Sequence, residues 1–372
     1  VRHDVIIVGA GAAGVGMGAT LKDFGIHDFK ILDRHEVGAS FARWPAEMRL
    51  ITPSFNTTPF GILDLNAVTL DTSVANFLGE EHPLGKDYAH YLRKLVQEMQ
   101  IPIAGGWDVT EVDERAPEGF RLTGPRGDVD CRFLIWAAGE FQYPNLNPFP
   151  GAELCQHNGL ISSYRDLEGE DFLVIGAFES GVDAAVHLAE SGKAVTLLCN
   201  DVELALSDQD PSRSLSPFTR QRLLAAQKNH KNLHIRYECQ VKEVKQNGNQ
   251  YMVLAANGQE FSSMAPPVLA IGFRGGTGPV EHLFDFRDDG HFQLSEVDES
   301  TYAEGLFLSG PLVRHDYHIF CYIYKYRQRF AVIAETLAQR LDIPVSDELL
   351  ELYDRNQMRL HDLSCCGQEC VC

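Results

Sequence analysis

The 372-residue chain has no uninterrupted apolar run approaching the ~20 residues that a bilayer-spanning helix needs, so nothing in it reads as a membrane anchor. Positive charge is also scarce: 32 Lys and Arg stand against 52 Asp and Glu, a formal net charge of −20. Nucleic acids and anionic membrane surfaces require clustered cations, so neither is expected as a partner. A secretory leader is not expected either, because the apolar, small-residue run near the start fits a strand and turn better. Nine cysteines without such a leader suit a reducing compartment, and the expected location is the cytoplasm. No Cys-x-x-Cys pair occurs. Cys131, Cys155, Cys199, Cys239 and Cys321 are scattered, and lone cysteines are usually small buried hydrophobes.

What the chain does contain starts with a nucleotide turn. Residues 4–9 read as a short apolar strand running into Gly9-Ala10-Gly11-Ala12-Ala13-Gly14, with a helix to follow. Gly9 permits the tight turn, Gly11 lets the backbone approach a pyrophosphate, and Gly14 allows the helix to pack closely on the strand. A second strand, Phe29-Lys30-Ile31-Leu32, ends in Asp33, placed to accept the two hydroxyls of an adenosine ribose.

A weaker copy begins at Asp171, where Phe172-Leu173-Val174-Ile175 leads into Gly176-Ala177-Phe178-Glu179-Ser180-Gly181. Phe178 stands where the second glycine normally lets pyrophosphate approach. The next strand, 194–198, ends in Cys199-Asn200-Asp201 rather than in cations for a 2′-phosphate, so NADH suits it at least as well as NADPH. A Rossmann-like unit that binds no nucleotide is the alternative. Helix-period segments at 87–99 and 327–341 alternate with strands, as an α/β architecture requires. The Pro-rich stretch 143–151 is the expected first linker.

Two further apolar strands, 131–139 ending in Ala137-Ala138-Gly139 and 267–273 ending in Ile271-Gly272-Phe273, complete an ordered series of motifs. That series resembles the thioredoxin-reductase-like and flavin-monooxygenase-like superfamily of two-dinucleotide-domain flavoproteins, over most of the chain. Cys131-Arg132-Phe133-Leu134, Ser180 and Asp183-Ala184-Ala185 are similar to bacillithiol-disulfide reductases. Ser40-Phe41-Ala42-Arg43-Trp44-Pro45 with Arg49 resembles the flavin-contact segment of class B flavin monooxygenases. The resemblance implies an α/β fold of two Rossmann-like dinucleotide-binding domains, the nicotinamide domain (168–275) inserted in a discontinuous FAD domain (1–143 and 300–350). It implies FAD held by Gly9, Gly11, Ala12, Ala13, Gly14, Asp33, Arg34, Phe41, Trp44, Arg49, Ala138, Gly139, Gly310 and Pro311. NADH or NADPH would lie on Gly176, Ser180 and Gly181. Pro311 departs from the Asp common in thioredoxin reductases. The monooxygenase linker fingerprint begins at Phe149-Pro150-Gly151, but His157 is at the wrong spacing and Ser162-Ser163-Tyr164 replaces the expected histidine, which speaks against hydroxylation. A homodimer is the family expectation, with Tyr322, Tyr324 and Tyr326 as candidate contacts.

The run 315–327 is unusually aromatic, and a helix start there would aim its N–H dipole at the flavin pyrimidine. Cys321 and His318 are the candidate catalytic residues of this run, His318 as a proton source. The remaining candidates are terminal. Cys365-Cys366-Gly367-Gln368-Glu369-Cys370-Val371-Cys372 closes a tail that begins at 351 and concentrates four of the nine cysteines in eight residues. Cys365, Cys366, Cys370 and Cys372 supply enough thiolates for one [2Fe–2S] or [4Fe–4S] cluster, or for Zn²⁺ or another soft metal. Leu363-Ser364-Cys365-Cys366 also resembles the terminal vicinal pair of mercuric reductases, which implies a dithiol or metal relay with Cys365 and Cys366 catalytic. A tail without catalytic role is the third possibility. The expected activity is that of a FAD-dependent NAD(P)H oxidoreductase passing electrons through an iron–sulfur centre to a small-molecule or protein acceptor. The alternatives are a disulfide or soft-metal reductase, and a non-catalytic metal or redox sensor.

Overall fold

The computed structural model describes residues 2–58, 61–115, 117–208 and 210–364. Its first lobe is built on β1 (Arg2–Val8), β2 (Phe29–Asp33), β3 (Ile103–Gly105), β4 (Glu111–Glu114), β5 (Phe120–Gly124) and β6 (Gly127–Trp136). The order is β3-β2-β1-β6-β5-β4, parallel at the β3 end and antiparallel across β6-β5-β4. Strand β6 is long because it does two jobs on one edge: Gly127 to Cys131 pair with β5, and Leu134 to Trp136 pair with the late strand β15 (Leu306–Leu308). The chain thus leaves this sheet after β6 and returns to it some 170 residues later. Ile6, Ile7, Leu134 and Ile135 are fully buried, as expected of central parallel strands covered on both faces.

Helix α1 (Ala12–Asp23) packs on this sheet, α4 (Gly85–Glu98) packs on α1, and α2 (Ala39–Ala42) and α3 (Val74–Leu78) pack on α4. Helix α1 is made almost entirely of small residues on its inner face, and ten of its twelve residues are buried. Gly14 sets how close it comes: a Cβ there would lie 1.8 Å from the carbonyl oxygen of Gly9.

The second lobe repeats the plan. Strands β7 (Gln156–His157), β8 (Asp171–Ile175), β9 (Ala194–Leu198), β10 (Leu233–Arg236) and β14 (Val268–Leu269) form a parallel sheet ordered β10-β9-β8-β14-β7. Helix α5 (Glu179–Glu190) follows β8, α6 (Pro217–Asn229) follows β9, and an antiparallel meander of β11 (Val241–Asn247), β12 (Gln250–Ala255) and β13 (Glu260–Ser263) precedes β14. After β15 come a hairpin of β16 (Arg314–His315) and β17 (His318–Ile319), then α7 (Ile323–Tyr326), α8 (Phe330–Arg340) and α9 (Asp347–Arg355).

The first core extends past the 300–350 segment in both directions. Val280, Leu283 and Phe284 belong to it, as do Tyr353 and Met358. The chain from 351 to 358 is therefore part of the lobe rather than of a separate tail. A buried ion pair ties these late segments down: Arg329 donates to both carboxylate oxygens of Asp298 at 2.9 and 3.0 Å, and His315 Nε2 lies 2.5 Å from the same carboxylate. Among the described residues no helix is long and apolar enough to cross a membrane.

Many contacts join the lobes, and three sets stand out. The Glu47 carboxylate accepts from Ser163 Oγ (2.6 Å) and the Tyr164 N–H (3.0 Å). Burial works against the charge on Glu47, but these hydrogen bonds outweigh it and hold its carboxyl below the usual range. His82 stacks on Phe218 at 3.9 Å between ring centroids, and Lys325 pairs with Asp210 at 2.5 Å.

The glycine geometry separates two substitutions that look alike in sequence. Gly14→Ala drives a methyl group into backbone and is expected to destabilise the protein by about 3 kcal/mol or more. At Gly11 a Cβ meets nothing within 4 Å, so Gly11→Ala should leave the unfolding free energy within about 0.5 kcal/mol of the parent. Urea denaturation of both variants tests this.

Candidate active site

Where β1 and β8 end, the two glycine turns face one cavity of about 380 Å³. Gly9, Gly11, Ala12, Ala13 and Asp33 line it from the first lobe, and Phe178, Glu179, Ser180 and Asp183 from the second. Clefts at the carboxyl ends of parallel strands are where open α/β sheets bind ligands. Helix α1 starts here with its first amides uncapped by any side chain and with no acidic residue in its first turn. An uncapped helix start beside open space at Gly11 is a fit for a pyrophosphate. Asp33 is held in place: its two oxygens accept the Ala10 and His35 N–H groups, each at 2.7 Å, which fixes the carboxylate at the turn.

The expected residues divide into three groups. Gly9, Gly11, Ala12, Ala13, Asp33, Phe41, Trp44, Arg49, Ala138, Gly139, Ser180, Pro311 and Cys321 come together around the cavity. Gly14, Gly176, Gly181 and Gly310 act from behind, through close backbone approach: a Cβ on Gly310 would stand 3.0 Å from that of Ala13. Arg34 lies off the main cavity, in a small neighbouring recess, with its guanidinium 4.7 Å over the Tyr143 ring and Nε donating to Gln142. Arg49 is tied to Glu80 at 2.7 Å and to the His82 carbonyl at 2.6 Å.

Two expectations need correction. His318 does not reach the cavity; it lines a separate polar groove with Arg287, Asp289, Arg314 and Ser364. His315 turns away as well, toward Asp298. The hairpin β16–β17 separates the two spaces, so that Pro311 and Cys321 at its ends line the cavity while its histidines line the groove. Tyr326, a proposed dimer contact, is 5 % exposed within the chain's own core, and Tyr322 lines the cavity.

Residues the sequence did not single out complete the walls. Glu140 and Phe141 follow directly on Gly139, and Phe273 on Gly272; Phe141 and Phe273 pack at 5.0 Å between centroids. Their position just past strand ends was the available signal. Ser212 bridges two elements: it accepts from Cys321 Sγ (3.2 Å) and from Lys325 Nζ (2.7 Å). Burial raises the Glu140 carboxyl, with Arg314 opposing, and raises Glu179 against hydrogen bonds from Thr219 and Ser216. Burial also raises the Cys321 thiol, opposed first by its Ser212 hydrogen bond and then by Lys325.

The other scattered cysteines fit the packing reading. Cys131, Cys199 and Cys239 are buried, and burial pushes the Cys131 and Cys155 thiols up to about 12. Among the described residues no group of three or more His, Cys, Asp or Glu is arranged to hold a metal ion. Cys365, Cys366, Cys370 and Cys372 lie outside the described residues.

Comparison with known proteins agrees with this architecture. A Bacillus velezensis oxidoreductase named CzcO is 30% identical over 207 residues, 54% of this chain and 55% of that protein. Bacilliredoxin reductase Bdr of Bacillus subtilis is 23% identical over 198 residues, 53% of this chain and 57% of that protein. The chain spans about half the length of the curated relatives it matches. Among solved structures, bacillithiol disulfide reductase Bdr from Staphylococcus aureus superposes with a TM-score of 0.74 at 20% identity, covering 91% of this chain and 99% of the other. A flavin-containing monooxygenase from Stenotrophomonas maltophilia gives 0.71 at 15% identity, covering 91% and 99%. At these identities the structures speak for the fold alone. The pyridine nucleotide-disulphide oxidoreductase family model matches residues 6–310, and the chain belongs to that family.

Proposed function

We propose that the chain is a FAD-dependent NAD(P)H oxidoreductase that passes electrons out through its four terminal cysteines. The observation that supports the reading is one cavity lined from both glycine turns, where a nicotinamide nucleotide and a flavin would meet. The FAD-binding part is taken as 1–143 with 300–358, extended past 350 because Tyr353 and Met358 pack in its core, the nicotinamide part as 168–275, and the tail as 359–372. Gly9, Gly11, Ala12 and Ala13 would hold the FAD pyrophosphate on backbone amides, with Gly14 setting the helix close and Asp33 taking the ribose. Phe41, Trp44, Arg49, Ala138, Gly139, Gly310 and Pro311 would enclose the rest, with Arg34 flanking the ribose end. Gly176, Ser180 and Gly181 would carry the nicotinamide nucleotide. FAD bound there supplies the exchange of a two-electron hydride for single electrons.

The chain's own groups then set the conditions of the transfer. Phe41, Trp44, Phe141, Phe273 and Tyr322 give the cavity aromatic walls. Glu140, raised by burial, retains a proton to a higher pH than an ordinary carboxyl and lines the same space. Helix α7 begins at Ile323 on the cavity wall, so the start of the helical run 323–340 faces the cavity. Cys365, Cys366, Cys370 and Cys372 would hold a four-thiolate iron–sulfur centre or another soft-metal site, which would supply a one-electron outlet to a small-molecule or protein acceptor.

One observation favours the dithiol reading of the same tail: Cys321 is the cavity thiol among the described residues. A disulfide between Cys321 and a tail cysteine would take two electrons and two protons to give two thiols, with NAD(P)H as reductant. The names of the bacilliredoxin and bacillithiol disulfide reductases agree with that chemistry.

Iron and acid-labile sulfide measured on anaerobically purified protein decide between these forms. Stoichiometric iron and sulfide, lost when the four terminal cysteines are changed to serine, is the expected result. A flavin-only spectrum lacking both elements would rule out the cluster and leave the dithiol form. Gly11→Ala should weaken FAD binding at least tenfold while leaving the fold intact, measured by flavin retained on ultrafiltration; unchanged retention would remove Gly11 from the pyrophosphate cradle.

A further inference from the structure

The two nucleotide turns are congruent in backbone, which makes their differences readable position by position. Val8 pairs with Leu32 in the first lobe as Ile175 pairs with Leu198 in the second. The Gly9 N–H donates to the Leu32 carbonyl at 2.8 Å, and the Gly176 N–H to the Leu198 carbonyl at 3.1 Å. Their φ angles are +110° and +102°. A Cβ on Gly14 would stand 1.8 Å from the Gly9 oxygen, and one on Gly181 would stand 1.8 Å from the Gly176 oxygen. Helices α1 and α5 start from residues of nearly the same conformation, Gly11 at −81°, −166° and Phe178 at −102°, −164°. Gly176, Phe178, Gly181 and Cys199 therefore stand where Gly9, Gly11, Gly14 and Asp33 stand.

Two of these four positions are changed, and both changes fall on ligand contacts. Beyond Gly11 the Cβ direction is open, the space through which an anion reaches the helix amides. At the second turn a benzyl side chain leaves the backbone in that direction, 42 % exposed and lining the shared cavity. Asp33 holds its carboxylate on the Ala10 N–H; Cys199 offers no carboxylate, is 4 % exposed and directs its thiol toward the Glu203 carbonyl at 3.7 Å. Asn200 and Asp201 follow it, so no cation for a 2′-phosphate is supplied there either. The strand pairing, turn hydrogen bond and close glycine approach of a dinucleotide turn are kept, yet its two discriminating contacts are replaced.

We propose that Phe178 gates the second turn: its ring occupies the pyrophosphate approach, and a nicotinamide dinucleotide docks only when the ring turns aside. With Cys199 in place of a ribose acceptor, NADH and NADPH are bound weakly and with little distinction between them. An exposed ring attached by a single χ1 bond turns aside on a timescale far shorter than a turnover, so the gate acts on affinity. This rests on the nicotinamide-dependent reading given above.

The test is calorimetric titration of FAD-loaded protein with NAD⁺ and NADP⁺, which requires no turnover, in the parent, Phe178→Gly, Phe178→Ala and Phe178→Gly/Cys199→Asp. Removal of the ring should tighten both nucleotides at least tenfold in Phe178→Gly, and by a smaller factor in Phe178→Ala. Addition of the carboxylate should then favour NAD⁺ over NADP⁺ at least fivefold. Parent-like binding in both single variants would overturn the gate while leaving the nicotinamide reading in place. No binding of either nucleotide to any of the four proteins would overturn both.

Discussion

Helix α1 and strand β1 approach each other so closely at Gly9 and Gly14 that no side chain fits between them, and the rest of the site depends on that contact. It brings the first amides of α1 to the end of the sheet, where they find no side-chain cap and so remain available to a ligand. The same approach leaves the Ala10 N–H beside Asp33, which fixes the carboxylate. Repeated at Gly176 and Gly181, it gives the second lobe an equivalent turn. A single backbone constraint, used twice, produces two helix starts aimed into one cavity.

The lobes are joined by side-chain contacts on several sides of the cavity. Glu47 reaches across to Ser163 and Tyr164, His82 stacks on Phe218, and Lys325, Asp210, Ser212 and Cys321 form a chain of contacts at the cavity wall. The last of these joins structure to chemistry: the thiol facing the cavity is held by a serine that also receives a lysine paired with an aspartate. Long strand β6 is the hinge of the topology, since the antiparallel hairpin and the returning strand β15 share its outer edge.

The parts of this fold that could be read from sequence are those encoded locally. Gly9, Gly11, Gly14 and Asp33 sit within one strand–turn–helix–strand unit, where spacing alone carries the geometry, and the weaker copy at 176–181 was readable for the same reason. The walls were not, because Glu140, Phe141, Ser212 and Phe273 come from loops distant in sequence that the sheets bring together. His318 shows how proximity in sequence misleads: only three residues from Cys321, it sits on a hairpin that puts the two into different spaces. The aromatic run 322–326 suggested a surface for a second subunit, whereas the helical turn there places Tyr326 in the core and Tyr322 on the cavity. Composition does not distinguish these outcomes; the hydrogen-bonded path of the chain does.

The central claim is that electrons entering from a nicotinamide nucleotide leave the flavin for the terminal cysteines. Anaerobic titration of air-oxidised, FAD-loaded protein with NADH, followed at the flavin absorbance, measures it most directly by counting equivalents taken up per flavin. The account predicts uptake beyond one equivalent, falling to one when Cys365, Cys366, Cys370 and Cys372 are all serine. An end point of one equivalent in the parent chain, the same as in the serine variant, would contradict it.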